Sequence, residues 1–183
     1  MRQLLLLRHA KSSWDERELP DHERPLNPRG QRAAATMRDA MERLGLVPDL
    51  VLVSSSVRTV QTLEALEPWA DTPLVDRMET LYNAPASVLL DTIHTVKETV
   101  RSLLVIAHNP GIHELAVTLV GPQALDEGYA NPDLRRLGDG YPSGALTEFT
   151  VNGPWQGLGK GGGRLVRFLC PRDFAAEHAS DPE

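Results

Sequence analysis

At 183 residues the chain is long enough for one domain with a full hydrophobic core and short for two. Its net charge is −6 and no segment concentrates Lys and Arg, which argues against a phosphate-backbone footprint, so nucleic acid is not an expected partner. The single cysteine, Cys170, leaves no intramolecular disulfide, and four leucines before Arg8 are too few for a signal-peptide core or a membrane span. The expected setting is therefore cytoplasmic, with no membrane partner.

Three segments repeat one design: an apolar run, a small polar cluster, then a helical pattern. The first run, Gln3 to Leu7, leads into Arg8-His9-Ala10-Lys11-Ser12. Asn27-Pro28-Arg29-Gly30 then offers a helix cap and a first-turn proline, and Ala33, Ala34, Met37 and Met41 carry an apolar stripe to Leu44, with Gly45 as the stop. The second run, Leu50 to Val53, leads into Ser54-Ser55-Ser56-Val57-Arg58 and the pattern Val60, Leu63, Ala65, Leu66. Next come Leu74-Val75, a polar corner from Asp76 to Asn83, and a helix opened by Pro85-Ala86-Ser87. Its apolar face is Val88, Leu89, Ile93, Val96 and Val100. The third run, Leu103 to Ala107, leads into His108-Asn109-Pro110-Gly111 and the stripe Ile112, Leu115, Ala116, Leu119. Gly121 to Tyr141 reads as loop, and Ala145 to Val151 with Arg164 to Cys170 as a hairpin around a glycine-rich turn.

The resulting βαβαβαβα order predicts an α/β fold. It has three α/β/α layers around a mainly parallel central sheet, extended antiparallel at its C-terminal end. Residues 1–171 are expected to form one domain and 172–183 a frayed acidic tail.

Arg8 and His9 follow four consecutive leucines, so a cation and an imidazole arrive together at the tip of a buried strand. An unpaired charge inside such a strand is costly to desolvate, so the pair is expected to open into a cleft that holds an anion. In an open α/β sheet that cleft lies beyond the carboxyl ends of the parallel strands, and all three polar clusters sit at such ends. Arg8, His9, Arg58 and His108 are therefore predicted to converge. Asn109 and Pro110 read as the cap and first residue of a helix, adding backbone N–H groups to the same place, and Lys11 and Ser12 as further lining. Two arginines beside the histidines would repel a divalent cation while binding phosphate bidentately, so neither metal nor other cofactor is expected.

These residues resemble the histidine phosphatase superfamily, and within it the short bacterial phosphohistidine phosphatases of the SixA type. The superfamily's first motif is an Arg-His pair after the first strand; here it is Leu7-Arg8-His9-Ala10-Lys11-Ser12, whose continuation is similar to the SixA branch. Asp21-His22-Glu23-Arg24-Pro25-Leu26 and Pro28-Arg29-Gly30 are similar to that branch's Asp-x-x-Arg-Pro-Leu and Pro-x-Gly. Ser55 to Thr62 matches the second-arginine motif, Ala107-His108-Asn109-Pro110 the second-histidine motif, and Pro142-Ser143-Gly144-Ala145 adds weaker support. The ordered match spans residues 3–120. It implies a phosphoglycerate mutase-like fold and a metal-independent phosphatase with His9 as nucleophile, while Arg8, Arg58 and His108 clamp the phosphoryl oxygens.

Glu79-Thr80-Leu81-Tyr82 is similar to the Glu-x-x-Tyr stretch that supplies the acid in phosphoglycerate-mutase relatives, which makes Glu79 the candidate general acid. The leading substrate is phosphohistidine on a partner protein. The rivals are a small-molecule phosphomonoesterase or mutase acting on a phosphorylated metabolite, for which Gly121 to Tyr141 is the stretch able to cover the cleft, and a noncatalytic phosphate-binding module. His22, His94, His113 and His178 read as ordinary, with His113, near His108, the one to locate. Arg24 either guards the rim or pairs with Asp21 or Glu23, and Trp14, Trp69 and Trp155 show no stacking platform.

Overall fold

Leu4, Leu5, Leu6 and Leu7 are all fully buried, and they point alternately into two separate cores. In this computed structural model, which describes residues 1–15, 18–121 and 131–174, they belong to β1 (Arg2–Arg8), inside a six-stranded sheet. The other strands are β2 (Leu50–Ser54), β3 (Leu74–Met78), β4 (Ser102–Ala107), β5 (Leu146–Val151) and β6 (Gly163–Leu169), in the spatial order β3-β2-β4-β1-β5-β6. Pairing is parallel from β3 through β1 and antiparallel at β1–β5 and β5–β6, so β5 alone runs against the rest.

Leu5 and Leu7 pack with Met37 and Met41 of α1 (Pro28–Arg43) and Leu63 of α2 (Val57–Ala65). Leu4 and Leu6 pack with Leu89 and Ile93 of α3 (Ala86–His94), Ile112 and Leu115 of α4 (Gly111–Val120), and Leu137 of α5 (Pro132–Asp139). Burying one such leucine contributes about 1.5–3 kcal/mol, so the run that ends at Arg8 is among the best anchored parts of the chain. The expected three-layer α/β/α architecture is the one observed.

Several boundaries differ from the sequence reading. The strand expected at Leu74-Val75 continues to Met78, because this edge strand pairs with β2 on one side only and keeps polar Asp76 and Arg77 in solvent. The helix opened by Pro85 stops at His94, and Val96 is buried from the turn beyond it. Within Gly121 to Tyr141, Pro132–Asp139 is a helix rather than loop, capped by Asn131 as α1 is by Asn27. Residues 122–130 lie outside the described part. After β6 a 3-10 turn, Pro171–Phe174, packs on α1, so ordered chain runs past 171; residues 175–183 lie outside the described part. Among the described residues no helix is long and apolar enough to cross a membrane.

The strand registers bring the polar clusters together. Arg8 pairs with Ala107 and Val53 with Ile106, so the adjacent strands β1, β4 and β2 end at one level with their polar tips side by side.

Candidate active site

Beyond those three tips lies a cleft of about 410 Å³. Seven of the eight residues predicted from sequence line it: Arg8, His9, Lys11, Ser12, Arg58, His108 and Asn109. Asp21, Arg24, Trp14, Asn83 and Ser143 complete the wall, and Glu79 does not line it.

The backbone around His9 is pinned from three sides. His9 N–H donates to Ala107 O, Ala10 N–H donates to Thr62 Oγ1 at 3.0 Å, and Gly144 N–H reaches both the Arg8 and His9 carbonyls. Gly144 has φ +75°, and a Cβ there would meet Pro171 Cγ at 2.9 Å, so both its conformation and its packing call for glycine. Gly30 has a similar role: a Cβ on it would lie 2.0 Å from Lys11 O, so only glycine lets the start of α1 press on the loop after β1.

His9 Nδ1 lies 2.7 Å from Ala10 O, an atom that can only accept, so Nδ1 carries the proton. The lone pair is therefore on Nε2, where Arg58 Nε–H donates to it at 3.3 Å. Burial, with Arg58, Arg8 and Arg24 nearby, pushes the His9 pKa down to about 4 against the opposing hydrogen bond to Ala10. The ring is neutral at pH 7. His108 stands 5.1 Å away, centroid to centroid, and Arg58 Nη2 lies 3.3 Å from its Nδ1. Because the guanidinium only donates, Nδ1 is the acceptor and Nε2–H donates to Ser54 Oγ at 2.7 Å. Burial first, then His9 and Arg58, lowers the His108 pKa to about 3.

Arg8 donates from Nη1 to Tyr141 O at 2.8 Å, leaving its buried Nε without a partner. Asn109 does not cap a helix as the sequence predicts. Instead α4 begins at Gly111 with Pro110 in the cap position, and Asn109 Nδ2 donates to the same Tyr141 carbonyl while its buried Oδ1 is unpartnered. Tyr141 is held in turn by its hydroxyl donating to Leu6 O. Ser12 Oγ accepts from Arg24, and the Lys11 side chain has no partner among the described residues.

Sequence reasoning missed Asp21 as a site residue. Its carboxylate accepts from Arg58 Nη2 at 3.0 Å, Arg24 Nε and Nη2 at 3.0 and 2.9 Å, and Tyr82 Oη at 2.6 Å. Burial would raise its pKa, but the hydrogen bonds from Tyr82 and Arg24 and the Arg58 charge hold the carboxyl well below the usual range. Arg24 thus combines the two roles that the sequence offers as alternatives, pairing with Asp21 and lining the cleft. Trp14, read as having no stacking role, supports Arg24, whose guanidinium carbon sits 3.6 Å from the ring centroid.

Glu79 sits at the rim, its side chain 76% exposed, accepting from Ser55 Oγ at 2.6 Å, while His22 Nε2 contacts the same hydroxyl at 2.8 Å. Its position follows from topology: β3 is three strands from β1, about 14 Å sideways at ordinary strand spacing. His113, outside the cleft, bonds to Leu137 O and ties α4 to α5. His94 bonds to Leu158 O, and His178 lies outside the described residues.

What this arrangement can do is bind an oxyanion. Arginines and a neutral imidazole lone pair converge in one open cleft, and among the described residues the one carboxylate lining it is already engaged by cations. Among the described residues no group of three or more His, Cys, Asp or Glu could hold a metal ion.

Comparison with known proteins agrees with this chemistry. Residues 4–81 match the family model of the histidine phosphatase superfamily, branch 1. The uncharacterized protein Rv1276c of Mycobacterium tuberculosis is 32% identical over 166 residues, covering 91% of this chain and all of that protein. Among solved structures, a protein assigned as the phosphohistidine phosphatase SixA of Nakamurella multipartitia superposes with a TM-score of 0.80. It shows 27% identity, with 93% of this chain and 96% of that one covered. A protein similarly assigned from Agrobacterium tumefaciens gives 0.78 and 26%, over 93% and 98% of the two chains. The chain belongs to the histidine phosphatase superfamily, in its SixA-type branch, and is a phosphatase.

Proposed function

We propose that this phosphatase removes phosphoryl groups from phosphohistidine on a partner protein, through a phosphorylated His9. In the first step the His9 Nε2 lone pair forms the new P–N bond while the P–N bond of the substrate, protonated on its other ring nitrogen, breaks; the electron pair returns to a neutral substrate imidazole, and phospho-His9 keeps its Nδ1 proton on Ala10 O. In the second, water attacks phospho-His9, the P–N bond breaks with its electron pair returning to Nε2, and both protons of the water leave with the phosphate, one of them passing on to solvent. Arg8 and Arg58 hold the non-bridging oxygens during both steps, and His108 joins them once the arriving phosphoryl dianion draws a proton onto its Nδ1, the ring nitrogen not bonded to Ser54. Lys11, Ser12 and Asn109 complete the oxyanion cradle, and no metal takes part.

The observation that carries the substrate choice is the absence, among the described residues lining the cleft, of a carboxyl group able to donate a proton. Asp21 is kept ionised by Tyr82, Arg24 and Arg58, and Glu79 is engaged at the rim by Ser55. An alkoxide leaving group needs such a proton, whereas transfer between two imidazoles is nearly balanced without it. The structural likeness to proteins assigned as SixA supports the same reading. A small-molecule phosphomonoesterase is the rival, and on it Glu79 would swing inward as the acid. Turnover of a phosphohistidine peptide against a panel of sugar phosphates tests the choice. The peptide is expected to be the better substrate by kcat/KM, and faster turnover of the sugars overturns it.

A further inference from the structure

Next to the phosphoryl cleft, and sharing Lys11 and Ser143 with it, is a second cavity of about 290 Å³. Three cations from three elements line it: Lys11 after β1, Arg29 in the first turn of α1, and Arg172 in the turn after β6. None of the three side chains has a hydrogen-bond or ion-pair partner among the described residues, and no Asp or Glu among them lines the cavity. All three residues are solvent-exposed, in a chain with six more acidic than basic residues, whereas Arg24, Arg58, Arg136 and Arg167 each pair with a carboxylate. The three cations repel one another and add to the field of Arg8 and Arg58, an arrangement that a bound anion relieves.

The spacing between the two cavities is fixed rather than adjustable. Asn27 N–H donates to Lys11 O, Gly30 presses on that same carbonyl, and Gly144, whose N–H holds the His9 backbone, packs against Pro171 and Ala33 in the second cavity's wall.

We propose that this cavity is a second-anion subsite that receives a carboxylate flanking the phosphohistidine of the protein substrate. The proposal rests on the phosphohistidine reading for the source of the carboxylate, but not for the site itself.

The test uses the full chain and p-nitrophenyl phosphate turnover, inhibited by phosphonates that carry a terminal carboxylate at increasing spacing, each paired with the alkylphosphonate of the same length. At one spacing the carboxylate is expected to tighten inhibition about fivefold at low salt, as two or three exposed charge pairs would, and to lose that advantage as salt rises. In the Arg29→Gln/Arg172→Gln double variant, which leaves only Lys11 in the cavity, the ratio should fall close to one, with the single variants in between. Inhibition by the plain alkylphosphonate reports whether the phosphoryl cleft is intact. A ratio of one in the unaltered protein at every spacing, or a ratio retained in the double variant, overturns the subsite. A second arm compares phosphohistidine peptides flanked by Glu or by Gln, and the acidic peptide's lower KM should disappear in the double variant. If neither peptide is turned over yet the phosphonate ratio still collapses with the substitutions, the subsite stands, its anion comes from a small bis-anionic metabolite, and the phosphohistidine reading falls.

Discussion

His9 and His108 are held neutral by burial, with pKa values pushed down to about 4 and about 3, so acid should unfold this protein earlier than its carboxylates alone would allow. Both shifts are downward from an unfolded value near 6.5, so their contribution to stability is complete above that pH and is lost as pH falls from 6.5 toward 4. Each unit costs about 1.4 kcal/mol per histidine, so between pH 6.5 and 5 the pair removes about 4 kcal/mol. Both side chains are almost fully buried, and solvent screening does little to soften this. Asp21 does not offset it, because its depressed pKa withdraws stability only below its unfolded value of about 3.9. For a chain of this size the histidine contribution corresponds to a fall of about 8–16 °C in Tm. Thermal melts at pH 7 and pH 5, for the unaltered protein and for His9→Gln/His108→Gln, measure it directly. The double variant should show a much shallower drop, and saturating phosphate should also flatten the unaltered protein's drop by stabilising the protonated rings. An identical drop in both proteins would refute the claim that these two rings are neutral because they are buried.

In catalysis, Arg58→Ala should lower kcat/KM by about two to three orders of magnitude, and Arg58→Lys should rescue little, because one planar fork reaches His9, His108 and Asp21 together and an ammonium cannot; full rescue by lysine would reduce Arg58 to a point charge. Glu79→Gln should leave phosphohistidine-peptide turnover within about threefold, since a balanced imidazole exchange needs no acid, and a loss of about a hundredfold on that substrate would restore Glu79 as the proton donor. Chelators should leave activity unchanged, and a loss with EDTA reversed by a divalent ion would bring metal chemistry into the cleft.

The parts of the fold legible in the sequence are those that local pattern determines. Four leucines before Arg8, and apolar runs before Ser54 and His108, specify buried strands whose polar tips must share one end of a parallel sheet. Asn27-Pro28 marks the start of α1. The same cap-and-proline signal stands at Asn131-Pro132, with Leu134 and Leu137 one turn apart, but the surrounding glycines obscure it and α5 reads as loop. What local pattern does not convey is which loop folds over the tips. Asp21 belongs to a short polar 3-10 turn with no apolar periodicity, and its partners Arg58 and Tyr82 are 37 and 61 residues away in sequence. Glu79 shows the converse limit: motif spacing singles it out, but strand order, which the sequence does not spell, sets its distance from His9.

If His9 Nε2 carries the phosphoryl group, the phosphoenzyme can be trapped. Rapid quenching of the enzyme with a phosphohistidine peptide, followed by mass spectrometry under alkaline conditions, should find one phosphoryl group on the peptide containing His9, labile to acid and absent from His9→Ala. The same label persisting in His9→Ala, or residing on another residue, would place the nucleophile elsewhere.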